Sequence, residues 1–165
     1  MFISGTSKGW AAMPLGVSKI NGDFGEALVT YLLARDGVEV LHGPTVGFDL
    51  FAVDPLKSVF SGKARLIGIS VKTRLLKGNF YYSSTIPTDA PQVSQAVKAW
   101  GAEPWLAVVV GSVGLTLEVM LLPYSAAARF RGRAKRGDVV SVSALESDLS
   151  GTVRTLLRET NPNAK

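Results

Sequence analysis

The spacing of apolar and polar residues along the chain predicts five strands. Residues 38–41 form a short apolar run, residues 48–54 alternate, and residues 64–72 form an apolar run that ends in a lysine. Residues 105–110 and 115–122 have the pattern of two further strands joined by a turn that contains glycine. Runs of this length, separated by Gly and Pro, are typical of a sheet inside a globular domain.

The first helix is predicted over residues 23–37, which are apolar on nearly every side. Asp23 can cap its start, Glu26 stands three residues later as in a capping box, and Gly37 supplies a left-handed stop. A helix with this composition should be largely buried.

A second helix is predicted over residues 91–100, and shorter helices over residues 125–131 and 152–159. Residues 75–87 fit either a short strand or a loop. The order of helix, three strands, helix and two strands predicts an α/β fold, or an α+β fold, with a mixed sheet.

The strand over residues 64–72 has two faces of different character. Because side chains alternate, Ser70 and Lys72 point the same way, and Ile69 and Val71 point the other way. In the preceding strand, Asp49 lies on a face with apolar neighbours. A carboxylate on such a face is costly unless it is paired or bound to a metal.

Composition fits one globular domain of 165 residues, with 47% hydrophobic and 19% charged residues. We expect an irregular N-terminal arm over residues 1–20, a core over residues 21–122 and a C-terminal extension over residues 123–165. The absence of cysteine excludes disulfides and thiolate chemistry, and the single histidine argues against a histidine-rich metal site. Without an apolar leader or a membrane-length run, a cytoplasmic location with no membrane partner is expected.

Charge is distributed unevenly along the chain, although the net charge is only +5. Residues 1–60 hold four Lys/Arg and six Asp/Glu, whereas residues 61–100 hold six Lys/Arg and one acid. Residues 129–136 hold five basic residues and no acid. This segregation fits a polyanion as the partner, and a solvated basic loop is the alternative for the last run.

Glu26, Asp49 and Lys72 come from three different elements that a helix packed on the sheet can bring together. Two carboxylates would hold a hard cation such as Mg²⁺ or Mn²⁺ through oxygen ligands, and a neighbouring lysine would stabilise charge that develops at phosphorus. Each residue also has a structural alternative: Glu26 as a capping residue, Asp49 as a turn acceptor and Lys72 as a strand-end lysine that reaches solvent.

Three short motifs resemble those of the PD-(D/E)xK, or restriction-endonuclease-like, nucleases and their Holliday-junction-resolvase-like branch. They are the G-x-x-G-E helix start at residues 22–26, the strand at residues 48–53 and the I-S-V-K-T-R segment at residues 69–74. The predicted order of elements also resembles that family's α-β-β-β-α-β core. The resemblance covers about residues 20–122 and implies a metal-dependent endonuclease that acts on DNA.

The resemblance implies a role for each matching residue. Asp49 would be the central metal ligand, Glu26 the helix carboxylate that completes the metal or water network, and Lys72 the catalytic lysine. The backbone carbonyl of Val71 would be a further ligand. The remaining implied or candidate nucleic-acid contacts are Arg74, Lys77, Gln95, Arg129, Arg131, Arg133, Lys135 and Arg136.

Ser70 departs from the pattern, because the family usually has Glu or Gln at this position. A catalytic site with Ser70 can work with Glu26 and Asp49 as its only carboxylates, or another acid can replace the missing one. The candidates for replacement are Glu39, Asp54 and Glu118.

Two main functional hypotheses follow, with a third that is weaker. The first is Mg²⁺-dependent cleavage of DNA, with branched or damaged DNA as candidate substrates and DNA favoured over RNA. The second is a catalytically impaired nuclease-fold module that binds nucleic acid without cutting it. The third is a structural protein in which the acids and the lysine form a buried ion network. The resemblance also makes a homodimer a reasonable expectation.

Overall fold

The structure is a computed structural model that describes residues 15–43, 47–60, 66–76, 85–112, 116–131 and 139–160. Its elements, in chain order, are α1 (Leu15–Arg35), β1 (Glu39–His42), β2 (Leu50–Val53), β3 (Ile67–Leu76), β4 (Thr85–Pro87), α2 (Ala90–Ala99), β5 (Glu103–Ser112), β6 (Thr116–Pro123), α3 (Tyr124–Ala127), a short 3₁₀ turn (Ala128–Phe130), β7 (Val139–Ser141), α4 (Val142–Glu146) and β8 (Arg154–Thr160).

Six strands form one mixed sheet in the order β1-β2-β3-β5-β6-β8. Only the central β3–β5 pair is parallel, and it runs in register from Ile67↔Glu103 to Leu76↔Ser112. The connection between these two strands contains α2, as a parallel pair requires. Strands β4 and β7 form a small second sheet. The predicted order of helix, three strands, helix and further strands is confirmed for the main sheet and its helices.

Each face of the main sheet is covered by its own apolar cluster. Ile67 and Ile69 of β3 pack with Val29, Leu32 and Leu33 of α1. The opposite face packs against α2, α3 and α4, and a side chain at Gly68 would collide with Val97 of α2. The alternation predicted for β3 is therefore confirmed: its odd-numbered residues face α1, and its even-numbered residues face α2.

The predicted start of the first helix is wrong. Helix α1 begins at Leu15, so residues 15–20 are helical where an irregular arm was expected, and Asp23 lies inside the helix. Asp23 does not cap the helix; it accepts a salt bridge from Lys19, one turn earlier, at 2.8 Å. Such a pair at i and i+4 supports continuation of the helix. Glu26 is consequently eleven residues inside α1 and has no capping role.

The predicted helix over residues 152–159 is also wrong, because this segment forms β8. Strand β8 pairs antiparallel with β6, with a β-bulge in the ladder, and is the edge strand on that side of the sheet. Arg, Leu and Glu have good helix propensities, but the open backbone of β6 offers ladder hydrogen bonds that a short isolated helix cannot match. In the part of the chain that the structure describes, no helix has the length and apolarity needed to cross a bilayer.

Candidate active site

Asp49 stands where the β2–β3 ladder ends, and it takes part in that ladder with both its backbone and its side chain. Its amide donates to the Ile69 carbonyl at 2.9 Å, and its carboxylate accepts from the Val71 amide at 2.6 Å. The amide and carbonyl of one strand residue point to the same neighbouring strand. The Val71 carbonyl is therefore directed to the side of β3 on which Asp49 lies.

Helix α1 approaches β3 closely at Gly25. A Cβ atom at Gly25 would overlap the hydroxyl oxygen of Thr73 and lie 3.0 Å from its Cβ. At Gly22, in the same motif, a Cβ would meet nothing within 4 Å. Of these two glycines, only Gly25 is therefore required by packing, and its contact with β3 places Glu26 beside the strand that carries Lys72.

Glu26 is partly buried, and its carboxylate lies within the electrostatic reach of Asp49. Burial, followed by the negative charge of Asp49, raises the pKa of Glu26, and the nearby His42 opposes this shift. His42 Nδ1 lies 3.8 Å from Glu26 Oε2. Both residues line an open depression of about 430 Å³ whose other walls come from Asp23, Ala27, Thr30 and Tyr31. Glu26 therefore lies between this depression and the negative charge of Asp49.

Lys72 lies on the α2 side of β3, the side that alternation predicted for it. Its ammonium group forms a salt bridge with Asp89 Oδ2 at 2.8 Å. Asp89 immediately precedes α2 and has a left-handed backbone, with φ 49° and ψ 35°. Its side chain makes no capping hydrogen bond to the helix, although aspartate is a favoured capping residue.

Ser70 is almost fully buried, with 2% of its surface exposed. Beside it lies Tyr124, the first residue of α3, whose phenol donates to the Thr88 carbonyl at 2.8 Å. Burial raises the pKa of Tyr124 well above its ordinary value, so the phenol keeps its proton. The position where the PD-(D/E)xK nucleases usually have a carboxylate is thus occupied by a buried hydroxyl.

The three acids proposed as replacements for the missing carboxylate have other surroundings. Glu39 is exposed on β1. Glu118 is buried on β6 and pairs with Arg158 of β8. Asp54 accepts hydrogen bonds from the backbone amides of residues 58–60, and these outweigh its burial and lower its pKa. The acid that contacts Lys72 is instead Asp89.

The candidate nucleic-acid contacts are distributed over several elements. Arg74 is exposed on β3 and donates to the Thr85 carbonyl at 2.9 Å. Gln95 is exposed on α2, and Arg131 is exposed after the 3₁₀ turn. Arg129 donates to the hydroxyls of Thr152 and Ser150 and lies over the ring of Phe130. The other four candidates, Lys77, Arg133, Lys135 and Arg136, lie outside the described residues.

The donors around Asp49 are compatible with Mg²⁺, which binds proteins through one or two carboxylates and keeps several waters. Asp49 and Glu26 supply two carboxylates of coupled charge, and Val71 supplies a carbonyl directed to the same side. Within the described ranges, no cluster of three or more Asp, Glu, His or Cys side chains has a metal-binding arrangement.

A six-stranded mixed sheet flanked by helices confirms the fold class that the sequence predicted.

Comparison with solved structures found two proteins of this kind. One is Hjc, a Holliday junction resolvase from Archaeoglobus fulgidus, with 14% identity and a TM-score of 0.46 over 74% of this chain and 90% of that one. The other is a restriction endonuclease solved in complex with substrate DNA, with 16% identity and a TM-score of 0.43 over 92% of this chain and 76% of that one. A scan of family models and a search of curated proteins gave no match.

Sequence reasoning missed three residues that contact the site: Asp89, Tyr124 and His42. A signal for Asp89 was present, because it is the only acid among residues 61–100 and directly precedes a helix. Tyr124 gave no comparable signal, since it reaches Ser70 only through the packing of α3 against the sheet. His42 ends β1 opposite Leu50, the residue that follows Asp49.

Proposed function

We propose that this chain is a Mg²⁺- or Mn²⁺-dependent endonuclease that hydrolyses phosphodiester bonds in DNA, with branched or damaged DNA as candidate substrates. The single observation that carries the proposal is the end of the β2–β3 ladder, where the Asp49 carboxylate holds the Val71 amide. Glu26 and Lys72 reach the surroundings of this ladder end from α1 and from the next position of β3.

In the proposed reaction, Asp49, Glu26 and the Val71 carbonyl hold the cation. The bound cation would polarise the phosphodiester and lower the pKa of a bound water. Lys72 would hold a phosphate oxygen as its negative charge grows. The basic residues of β3 and of residues 129–136 would contact the phosphate backbone of the nucleic acid, and DNA is proposed over RNA.

We also propose a homodimer, which analytical ultracentrifugation tests separately with and without DNA.

The test uses Asp49→Ala and Lys72→Ala with labelled linear duplex, four-way-junction and single-stranded DNA in Mg²⁺ and in Mn²⁺. Both variants should lose about 100-fold or more of the cleavage rate, the scale of removing one group that stabilises charge in the transition state. Asp36→Asn is the matched control, because Asp36 contacts only the exposed Arg35 through its side chain. Equal cleavage by the parent and both site variants would refute the assignment.

A non-catalytic binding module is a second candidate, and the burial of Ser70 supports it. A buried serine stands where the PD-(D/E)xK nucleases usually have a carboxylate, and Glu26 and Asp49 are the carboxylates at the proposed cation position. This alternative predicts binding of DNA that weakens with salt and no cleavage in either metal. The same panel of substrates distinguishes the two functions.

A further inference from the structure

The salt bridge of Lys72 belongs to a short series of contacts that joins three elements. Tyr124 donates to the Thr88 carbonyl at 2.8 Å, and Asp89, the next residue, pairs with Lys72 at 2.8 Å. These contacts connect α3, the start of α2 and β3.

Asp89 has an unusual backbone conformation, and its side chain contacts Lys72. A positive φ is uncommon outside glycine, although aspartate tolerates it better than most residues. At the position before a helix, an aspartate normally accepts from the first free amides, but Asp89 directs its carboxylate to Lys72. About 60% of the Asp89 side chain is exposed, compared with 29% for Lys72. The pair is therefore accessible to a substrate from the Asp89 side.

We propose that Asp89 is the positioning residue for Lys72, and that Tyr124 holds Asp89 in place through the Thr88 carbonyl. The effect of this positioning on catalysis rests on the proposed function. Lysine has a long flexible side chain, so fixing it before the substrate binds removes an ordering cost from the reaction. A phosphate oxygen replaces Asp89 as the partner of the ammonium group when the substrate binds.

The first test needs no nuclease activity. The parent, Asp89→Asn and Asp89→Glu are acetylated with N-hydroxysuccinimidyl acetate, and modification of Lys72 is followed by peptide mass spectrometry, with the exposed Lys98 as internal reference. Asp89→Asn should raise the Lys72 rate about two- to fivefold relative to Lys98, and Asp89→Glu should restore it. Equal Lys72 rates in the parent and Asp89→Asn would overturn the inference.

The same labelling tests the contact between Tyr124 and Thr88. Tyr124→Phe removes the hydroxyl that donates to the Thr88 carbonyl, and circular dichroism checks its fold. The variant should raise the Lys72 rate in the same direction as Asp89→Asn. An effect confined to Asp89 would overturn the part of the inference that concerns Tyr124.

The second test measures kcat and KM on the DNA that the parent cuts, with Asp36→Asn as the control of equal charge change. Asp89→Asn should lower kcat about tenfold while KM stays within about twofold, because the lysine is displaced but still present. Asp89→Glu should recover most of the rate. An unchanged kcat for Asp89→Asn would overturn the catalytic role. If the parent cuts no DNA, the proposed function fails, and the labelling result still decides whether Asp89 fixes Lys72.

Discussion

Glu26 and Asp49 share negative charge at a place where neither carboxylate has a basic side chain as its main partner. His42 Nδ1 lies 3.8 Å from Glu26 Oε2, and the Asp49 carboxylate accepts a hydrogen bond from a backbone amide. Burial and the charge of Asp49 together raise the pKa of Glu26. Bringing these groups together therefore costs free energy of folding, and a bound cation would reduce that cost.

Glu26→Gln should stabilise the metal-free protein at neutral pH. A raised folded pKa means that the carboxylate is disfavoured in the folded state, so the penalty is present in full above that pKa. The penalty fades as pH falls through the raised pKa toward the ordinary glutamate value of 4.5. Thermal unfolding without divalent cations should show a Tm about 1–2 °C higher for Glu26→Gln at neutral pH, with the difference lost in acid.

Adding Mg²⁺ should reverse this order, because ligand binding to the folded state raises its stability. The Tm of the parent should rise with Mg²⁺ concentration, and that of Glu26→Gln should rise less. Asp36→Asn is again the control, and its response to Mg²⁺ should equal that of the parent. If Mg²⁺ shifts both Glu26 forms equally, Glu26 does not hold a cation.

At the scale of single residues, the sequence identified the acids and the lysine through their positions in predicted elements. It did not identify Asp89 or Tyr124 as partners. Asp89 lies 17 residues from Lys72 and has a backbone conformation that no periodicity predicts. Tyr124 lies in α3 and reaches Ser70 and Thr88 only through packing against the sheet. Such contacts depend on tertiary packing, which a local pattern does not specify.

At the scale of elements, the approach of α1 to β3 is set by one small residue. Gly25 lets the helix backbone approach Thr73, and Glu26 follows directly on the helix. Thr73 belongs to the same short segment as Lys72. The two motifs that carried the resemblance therefore contact one another in the folded protein, and their glycine and threonine control the distance between the carboxylate and the lysine strand.

The two glycines of this helix make a matched pair of variants. Gly22→Ala should be neutral or stabilising by up to about 1 kcal/mol, because alanine is the better helix former and meets open space. Gly25→Ala should destabilise by about 1–3 kcal/mol, because the new methyl group collides with Thr73. Urea denaturation measures both. A Gly25→Ala protein as stable as Gly22→Ala would show that the contact with Thr73 does not limit the approach of the helix.

The elements that the sequence predicted correctly have strong internal signals. Alternation defined the faces of β3, and Pro91 and Gly101 marked the ends of α2. The two wrong predictions, the start of α1 and a helix over residues 152–159, concern segments with weak local signals. Continuation of α1 to Leu15 depends partly on the Lys19–Asp23 pair, and β8 depends on the open edge of β6. Where local propensity is weak, contacts with neighbouring elements determine the secondary structure of a segment.

At the scale of the whole molecule, the basic residues beyond the site would determine how strongly the proposed polyanionic partner is bound. A net charge of +5 with a basic run at residues 129–136 would give long-range attraction to DNA that salt screens. Part of this charge is used within the fold, since Arg129 is bonded to Thr152 and Ser150.

DNA binding in the absence of divalent cations should therefore weaken steeply with salt. With about four phosphate contacts, affinity should fall about 100-fold over a fourfold rise in salt concentration. Replacing Arg133, Lys135 and Arg136 together by alanine should reduce the slope of log affinity against log salt by up to about 3. Lys57→Ala, on the turn after β2, is the control. Fluorescence anisotropy measures the slopes, and equal slopes for all three proteins would exclude the basic run from the interface.

The parallel ladder between β3 and β5 has a consequence for errors in folding. Because side chains alternate, a shift of β3 by one residue would turn Lys72 into the apolar cluster beneath α1 and place Thr73 beside α2. The same shift would bury a charge and separate Gly25 from Thr73. A chain with a misaligned central strand thus loses the position of Lys72 and its packing in one event. Every molecule that folds stably should then present Lys72 on the α2 side of the sheet.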